Sequence, residues 1–175
     1  MKRKINVWDY AGKIAEALGQ GILATTKAEG QVNTMTIGWG MLGVEWNRPM
    51  FLLLVRESRH TKKLLDKTGE FTVNIPLEGA DKKILAFCGT KSGRDVDKIQ
   101  ALGLTLEEPE VISVPGIKEL PLTLECRVLY CQDQDGAAIP ADIHKRFYPP
   151  FFSDGRSDYH TAYYAEILDA YIIED

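Results

Sequence analysis

Ile22-Leu23-Ala24-Thr25-Thr26, a turn containing Glu29-Gly30, and Val32-Asn33-Thr34-Met35-Thr36-Ile37 form the stretch that decides the fold. Two runs rich in β-branched residues around a short glycine-bearing turn predict a β-hairpin. Upstream, Tyr10–Leu18 places Ile14, Ala17 and Leu18 on one helical face, and Gly19 and Gly21 stop that helix. Downstream, Pro49 opens Met50-Phe51-Leu52-Leu53-Leu54-Val55, too apolar for a half-exposed strand and expected in the middle of a closed or covered sheet. Ser58 reads as the N-cap of a helix reaching Lys67, with Leu64 and Leu65 inward and Gly69 at its end. Phe71–Ile75 returns as a strand stopped by Pro76. Further helices are expected over Ala80–Phe87 and Asp95–Leu102, with a Pro109–Pro121 connection leading to long strands over Leu122–Cys131 and Tyr163–Ile173. The strands come as hairpins or long returns, not in alternation with helices. This predicts a mainly β protein, an antiparallel barrel with a few peripheral helices, as one domain over residues 1–175. Ala137–Asp158, rich in Pro and aromatics, suits a lid or a partner contact.

Composition narrows the function. The 175 residues carry 21 Lys and Arg against 25 Asp and Glu, a net charge of −4, which argues against the broad basic face of a nucleic-acid binder. No stretch approaches the ~20 apolar residues of a membrane span. The basic start, Met1-Lys2-Arg3-Lys4, leads into Asn6, Trp8, Asp9 and Tyr10 rather than an apolar segment, so no export signal and a cytoplasmic location are expected. Three cysteines, an odd number without repeated spacing, argue against a disulfide framework. Cys126 and Cys131 lie in one expected strand on opposite faces, and all three thiols are expected to be buried small hydrophobes.

Three segments are candidates for chemistry. Gly38-Trp39-Gly40-Met41-Leu42-Gly43 matches GxGxxG, but Val44–Pro49 starts no helix after it, so the dinucleotide reading is rejected. Val55-Arg56-Glu57-Ser58-Arg59-His60-Thr61 gathers two arginines and two hydroxyls at a helix start, and Arg56–Lys63 nets +3 from four cations and one anion. Guanidinium forks, hydroxyls and free helix N–H groups all suit phosphate, although a solvated helix terminus reads the same way. Cys88-Gly89-Thr90-Lys91-Ser92-Gly93-Arg94-Asp95-Val96-Asp97-Lys98 brings glycines around Lys91 and Ser92, as a ligand-approaching loop or a plain helix–helix turn. It lacks Walker A spacing, His60, His144 and His160 form no metal pattern, and no GxSxG elbow occurs. Trp39, Trp46, Phe147, Tyr148, Phe151 and Phe152 offer rings for stacking, or for core and interface.

Taken in order, Asn33–Gly40, Val55–Thr61, Phe71–Pro76 and Cys88–Lys98 resemble the flavin reductase-like family, with its FMN-binding split barrel and flavoredoxin-like members. The resemblance covers about residues 22 to 104, and the closing strand with His160 and Glu166 is compatible. It implies that the Asn33, Thr34, Met35, Thr36 and Trp39 strand lies against the isoalloxazine, with backbone N–H groups and the Thr36 hydroxyl on the ring's polar edges. It implies further that Arg56, Ser58, Arg59 and Thr61 hold the phosphate, while Ser92, Gly93, Asp97 and Lys98 approach from the loop that Cys88 opens. Homodimers with FMN near the subunit interface are typical of such proteins. The implied activity is that of an oxidoreductase: NADH or NADPH delivers hydride to flavin N5, and electrons pass to a small-molecule or protein acceptor. The cofactor carries the chemistry, so no catalytic acid or base is required. The rival is a non-catalytic FMN electron carrier served by a separate reductase. An interaction domain without cofactor and a pyridoxamine phosphate oxidase-type barrel are also open, and the Cys88–Asp95 loop points away from the last.

Overall fold

The computed structural model describes residues 1–79 and 81–174. In chain order the elements are β1 (Lys2–Lys4), α1 (Ala11–Gln20), β2 (Ile22–Ala28), β3 (Gln31–Ile37), β4 (Gly40–Glu45), β5 (Arg48–Arg56), α2 (His60–Thr68), β6 (Glu70–Ile75), α3 (Lys82–Thr90), α4 (Lys98–Leu102), β7 (Leu106–Glu107), β8 (Gly116–Ile117), β9 (Leu122–Asp133), α5 (Ala141–Phe147) and β10 (His160–Ile173). Short 3-10 turns cover Val7–Tyr10 and Gly136–Ala138.

The expected hairpin is β2–β3. Its turn residues Glu29 and Gly30 both take positive φ (51° and 79°), the twist that suits a tight hairpin. Trp46 and Asn47 do the same between β4 and β5. All pairings are antiparallel, in the order β3-β2-β6-β9-β10-β5-β4, with β1 alongside the end of β10. The end strands β3 and β4 do not pair with one another, yet Met35 and Ile37 share one apolar cluster with Phe51, Leu53, Val55, Phe71, Val73, Leu124 and Ala165. The sheet is therefore curled around a common core: a split antiparallel barrel. The apolar β5 run sits between β10 and β4, as its composition requires.

The outer surface of the sheet has two characters. Over β2, β3, β6 and β9 it is covered, and Thr34, Thr25, Thr72 and Glu125 stand in register across the four strands, all fully buried. Thr25 Oγ1 lies 3.0 Å from Thr34 Oγ1 and 3.1 Å from Asn74 Oδ1, while Thr72 donates to Pro115 O at 2.8 Å. The Glu125 carboxylate accepts the N–H groups of Glu110, Val111 and Ile112 at 2.6–3.1 Å. These bonds tie the 104–121 connection, including β7 and β8, onto the sheet. Buried polar groups of this kind are stable only because each finds a partner. On the other half, Met41, Leu52, Tyr164 and Tyr130 form a row across β4, β5, β10 and β9 that is exposed or half-buried.

Some boundaries differ from the sequence reading. The helix expected from Ser58 starts at His60, because Ser58 turns its N–H and hydroxyl to Asp158. The helix expected from Asp95 starts at Lys98, with Asp97 as N-cap accepting Gln100 N–H at 3.0 Å. That expected over Ala80–Phe87 runs Lys82–Thr90 with Asp81 as N-cap; Ala80 itself lies outside the described residues. Cys88 and Cys126 are buried, but Cys131 is exposed, beyond the covered part of β9. The GxGxxG segment continues as β4, and its glycine at Gly40 serves packing: a Cβ there would stand 2.9 Å from Leu52 O and 3.3 Å from the Phe51 ring.

Candidate cofactor site

Strand β5 delivers Arg56 to the open end of the barrel, where the chain turns through Glu57-Ser58-Arg59 into α2. The α3–α4 loop meets it from one side and the 147–158 segment from the other. Between them is a cleft of about 760 Å³, lined among others by Asn33, Arg59, His60, Ser92, Gly93, Arg94, Lys98, Phe147, Phe151 and Asp158. Met35, Arg56 and Arg59 also line a neighbouring recess of about 240 Å³ over Thr36–Trp39, closed by Leu54 and His160.

Cations outnumber carboxylates in the cleft: Arg56, Arg59, Lys91, Arg94 and Lys98 line it against Glu57 and Asp158. Arg56 donates to the carbonyls of Asp158 (2.6 Å) and Phe147 (3.0 Å), Arg59 to Gly89 O (2.8 Å), and Arg94 to Ser58 O (3.2 Å). Lys98, 4% exposed, donates to Thr34 O and Cys88 O, both at 2.9 Å. None of these four cations makes an ion pair with a carboxylate among the described residues. Burial lowers the Lys98 pKa to about 8 and raises that of the neighbouring Cys88 thiol to about 11. His60 is held below its ordinary pKa by burial and then by Arg94, and both of its ring nitrogens are buried without a partner. The α3–α4 loop approaches closely: a Cβ on Gly93 would fall 2.1 Å from Asn33 Oδ1 and 2.9 Å from the His60 ring, so only glycine fits.

The structure brings most of the sequence-selected residues to this place and turns some side chains away. Asn33, Met35, Arg56, Ser58, Arg59, Thr61, Ser92, Gly93 and Lys98 line the large cleft; Thr36 and Trp39 line the recess. Asn33 is fixed by donating to Thr61 Oγ1 at 2.8 Å. The Thr36 hydroxyl, expected on a ring edge, instead donates to Leu85 O at 2.7 Å. Thr34 points to the covered outer face, where its hydroxyl sits against Thr25 and Ala24 O; only its carbonyl reaches Lys98. Asp97 caps α4 and borders an adjacent groove, and Cys88 contributes its carbonyl to Lys98 while its buried thiol packs with Leu23 and Ile117. Trp46 lies in the β4–β5 turn and borders neither cavity.

The stretch Ala137–Asp158, expected as a lid or a partner contact, is part of a strap from Gln134 to Tyr159 that lines the cleft, and its contacts were not foreseen. Its helix α5 ends at Phe147, and Arg56 holds the next loop at both ends through the Phe147 and Asp158 carbonyls. Ser157 donates to Tyr148 O at 2.7 Å, and Pro150 bridges Ser157, which closes the loop carrying Phe151 and Phe152. Trp39 packs edge-on to Phe147 at 5.2 Å and against His160 at 5.1 Å. The available signal was the density of aromatics; the partners that place them come from distant segments.

Chemically, the arrangement offers a cationic end with unneutralised donors and, next to it, a recess walled by Trp39, Leu54 and His160 that suits a planar group. A split antiparallel barrel with such a cleft belongs to the class of FMN-binding split barrels. Residues 17–175 match the family described as flavin reductase like domain, and the chain belongs to that family. An uncharacterized protein of Archaeoglobus fulgidus is 32% identical over 127 residues, 72% of this chain and 71% of that one. Among solved structures, flavoredoxin from Methanosarcina acetivorans is similar with a TM-score of 0.64 at 29% identity, covering 88% of this chain and 68% of that one. Flavoredoxin of Desulfovibrio vulgaris (Miyazaki F) gives 0.66 at 21% identity, over 88% and 69%, a likeness of fold. The expected fold and family are thus borne out.

Proposed function

We propose that the chain binds FMN with the phosphate in the cationic cleft and the isoalloxazine in the recess, as an NAD(P)H-dependent flavin reductase. The observation that carries this reading is the set of four cations, Arg56, Arg59, Arg94 and Lys98, clustered without one carboxylate ion-pair partner among the described residues, on a chain of net charge −4. Such a cluster is costly unless an anion occupies it. The orphaned His60 nitrogens, and the close seating of Gly93 against Asn33 and His60 that holds the α3–α4 loop at the cleft, belong to the same fit.

When bound, FMN supplies the redox chemistry, accepting hydride at N5 from NADH or NADPH and passing electrons to a small-molecule or protein acceptor. The chain's own residues bind, orient and shield. Arg59 and Arg94 each keep guanidinium donors beyond their single carbonyl contact, and the α2 N-terminus adds N–H groups for phosphate oxygens. Trp39, Leu54 and Met35 provide apolar surface for the ring, and Arg56 and Arg59, which border both cavities, place positive charge beside it. Phe147, Phe151 and Phe152 line the strap side of the cleft and offer rings to shield a bound flavin. A homodimer fits the same reading, because the exposed Met41–Leu52–Tyr164–Tyr130 row crosses β5 at Leu52, and the same strand carries Leu54 and Arg56 to the site. No helix of the described residues is long and apolar enough to cross a membrane. The test is to mix protein, FMN and NADH or NADPH and follow nicotinamide oxidation. Turnover above that of free FMN supports the reductase; FMN binding without it favours the electron carrier.

A further inference from the structure

At the back of the recess, the donors and acceptors around His160 admit only one arrangement of protons. The His160 backbone N–H donates to Gln134 Oε1 at 3.1 Å, so that atom of the Gln134 amide has to be its oxygen. The Tyr148 hydroxyl lies 2.9 Å from the same oxygen and has to supply the proton between them. With that proton committed, the 3.0 Å contact between Tyr148 O and His160 Nδ1 needs its proton on Nδ1. Nε2 has no partner among the described residues, and the ring that carries it lines the recess beside Trp39.

We infer that Gln134 and Tyr148 are positioning residues that lock His160 as the neutral Nδ1–H tautomer, so that Nε2 presents a lone pair to an N–H donor on a planar group in the recess. This rests on the proposed flavin site for the identity of that group. The donor chemistry is an imide or carboxamide N–H, available from the flavin ring or from a nicotinamide. Burial, then Arg56, lowers the His160 pKa to about 4, with Arg59 acting in the same direction and Asp158 against it. Near neutral pH the imidazole is therefore an acceptor at Nε2. A free imidazole prefers the opposite tautomer, so the lock has a signature that packing alone would not produce.

The experiment is nitrogen NMR of the 15N-labelled, cofactor-free protein, with the His160 signals assigned by their loss in His160→Gln. The expected result is a protonated Nδ1 and a bare Nε2 at pH 7. In Gln134→Met the Tyr148 hydroxyl is free to donate to Nδ1, and in Tyr148→Phe the Nδ1 proton loses its acceptor; both variants should shift toward Nε2–H. A wild-type Nε2–H tautomer, or variants that keep the wild-type pattern, would overturn the lock. Adding FMN, then FMN with NAD⁺, separates the sources. A change at Nε2 with FMN alone assigns the flavin imide, and a change only with both assigns the carboxamide. FMN binding with Nε2 undisturbed in both arms overturns the acceptor role while leaving the flavin site standing. Failure of FMN to bind, with the tautomer as expected, overturns the flavin site and leaves the lock standing.

Discussion

The two walls of the cleft are built on opposite principles. The rim formed by 56–61 and 88–98 is cationic, and its donors are spent on backbone carbonyls or left free. The strap formed by 134–159 is aromatic, and its polar groups satisfy one another: Tyr148 with Gln134 and His160, His144 with Tyr159, Ser157 with Tyr148 O. The rim keeps guanidinium donors beyond its carbonyl contacts, whereas the strap is closed on itself and walls the large cleft with its rings. Arg56 joins the two, because one guanidinium both adds charge to the rim and holds the strap by its two ends.

The sharpest way to break this contrast is therefore Arg56→Met. It removes two charge-assisted bonds and leaves two carbonyls unpaired, so urea unfolding should show a loss of ~1.5–3 kcal/mol, together with weaker FMN binding. Arg59→Ala touches the rim alone. FMN affinity in a fluorescence titration should fall about 10–100-fold, from a lost contact of ~1.5–3 kcal/mol; unchanged affinity would contradict the assignment of this wall.

Two bases beside these walls, His160 behind the strap and Lys98 in the rim, titrate in different windows. The His160 pKa is about 4 folded against an ordinary 6.5. Between these values the unfolded chain holds a proton that the folded chain does not, so stability rises with pH there and is lost on acidification. Lys98, at about 8 against 10.5, produces a rise between pH 8 and 10.5 by the same sign. Denaturation midpoints across pH should rise less steeply between pH 4 and 6.5 in His160→Gln, with His60 supplying the remainder, and less steeply between pH 8 and 10.5 in Lys98→Met. The smallest effect is expected for Arg156→Ala. Its pairs with Glu57 and Asp154 lie on the exposed side of the strap, and thermal unfolding should not change measurably.

What the sequence disclosed divides along the same line. The β2–β3 hairpin was legible because its turn chemistry is local, and β5 because an unbroken apolar run has few places to go. The rim was legible because two arginines and two hydroxyls fall within six residues. Ser58 misled because its natural reading as an N-cap is overridden by Asp158, 100 residues further on. The direction of the Thr34 and Thr36 hydroxyls was not legible, because strand alternation does not tell which face a segment elsewhere will cover; the 104–121 connection and α3 decided it. Glu125 looks like an outward strand residue until three N–H groups from residues 110–112 close around it. The strap was opaque for the same reason, since each of its contacts needs a partner from another part of the chain.

Whether the cationic wall exists for a phosphate is decided by comparing FMN with riboflavin, which lacks only that group. In parallel fluorescence titrations FMN should bind saturably, with riboflavin weaker by at least ~10-fold, and the gap should narrow in Arg59→Ala. Equal affinity for the two flavins, or binding of neither, would refute a phosphate site at this wall.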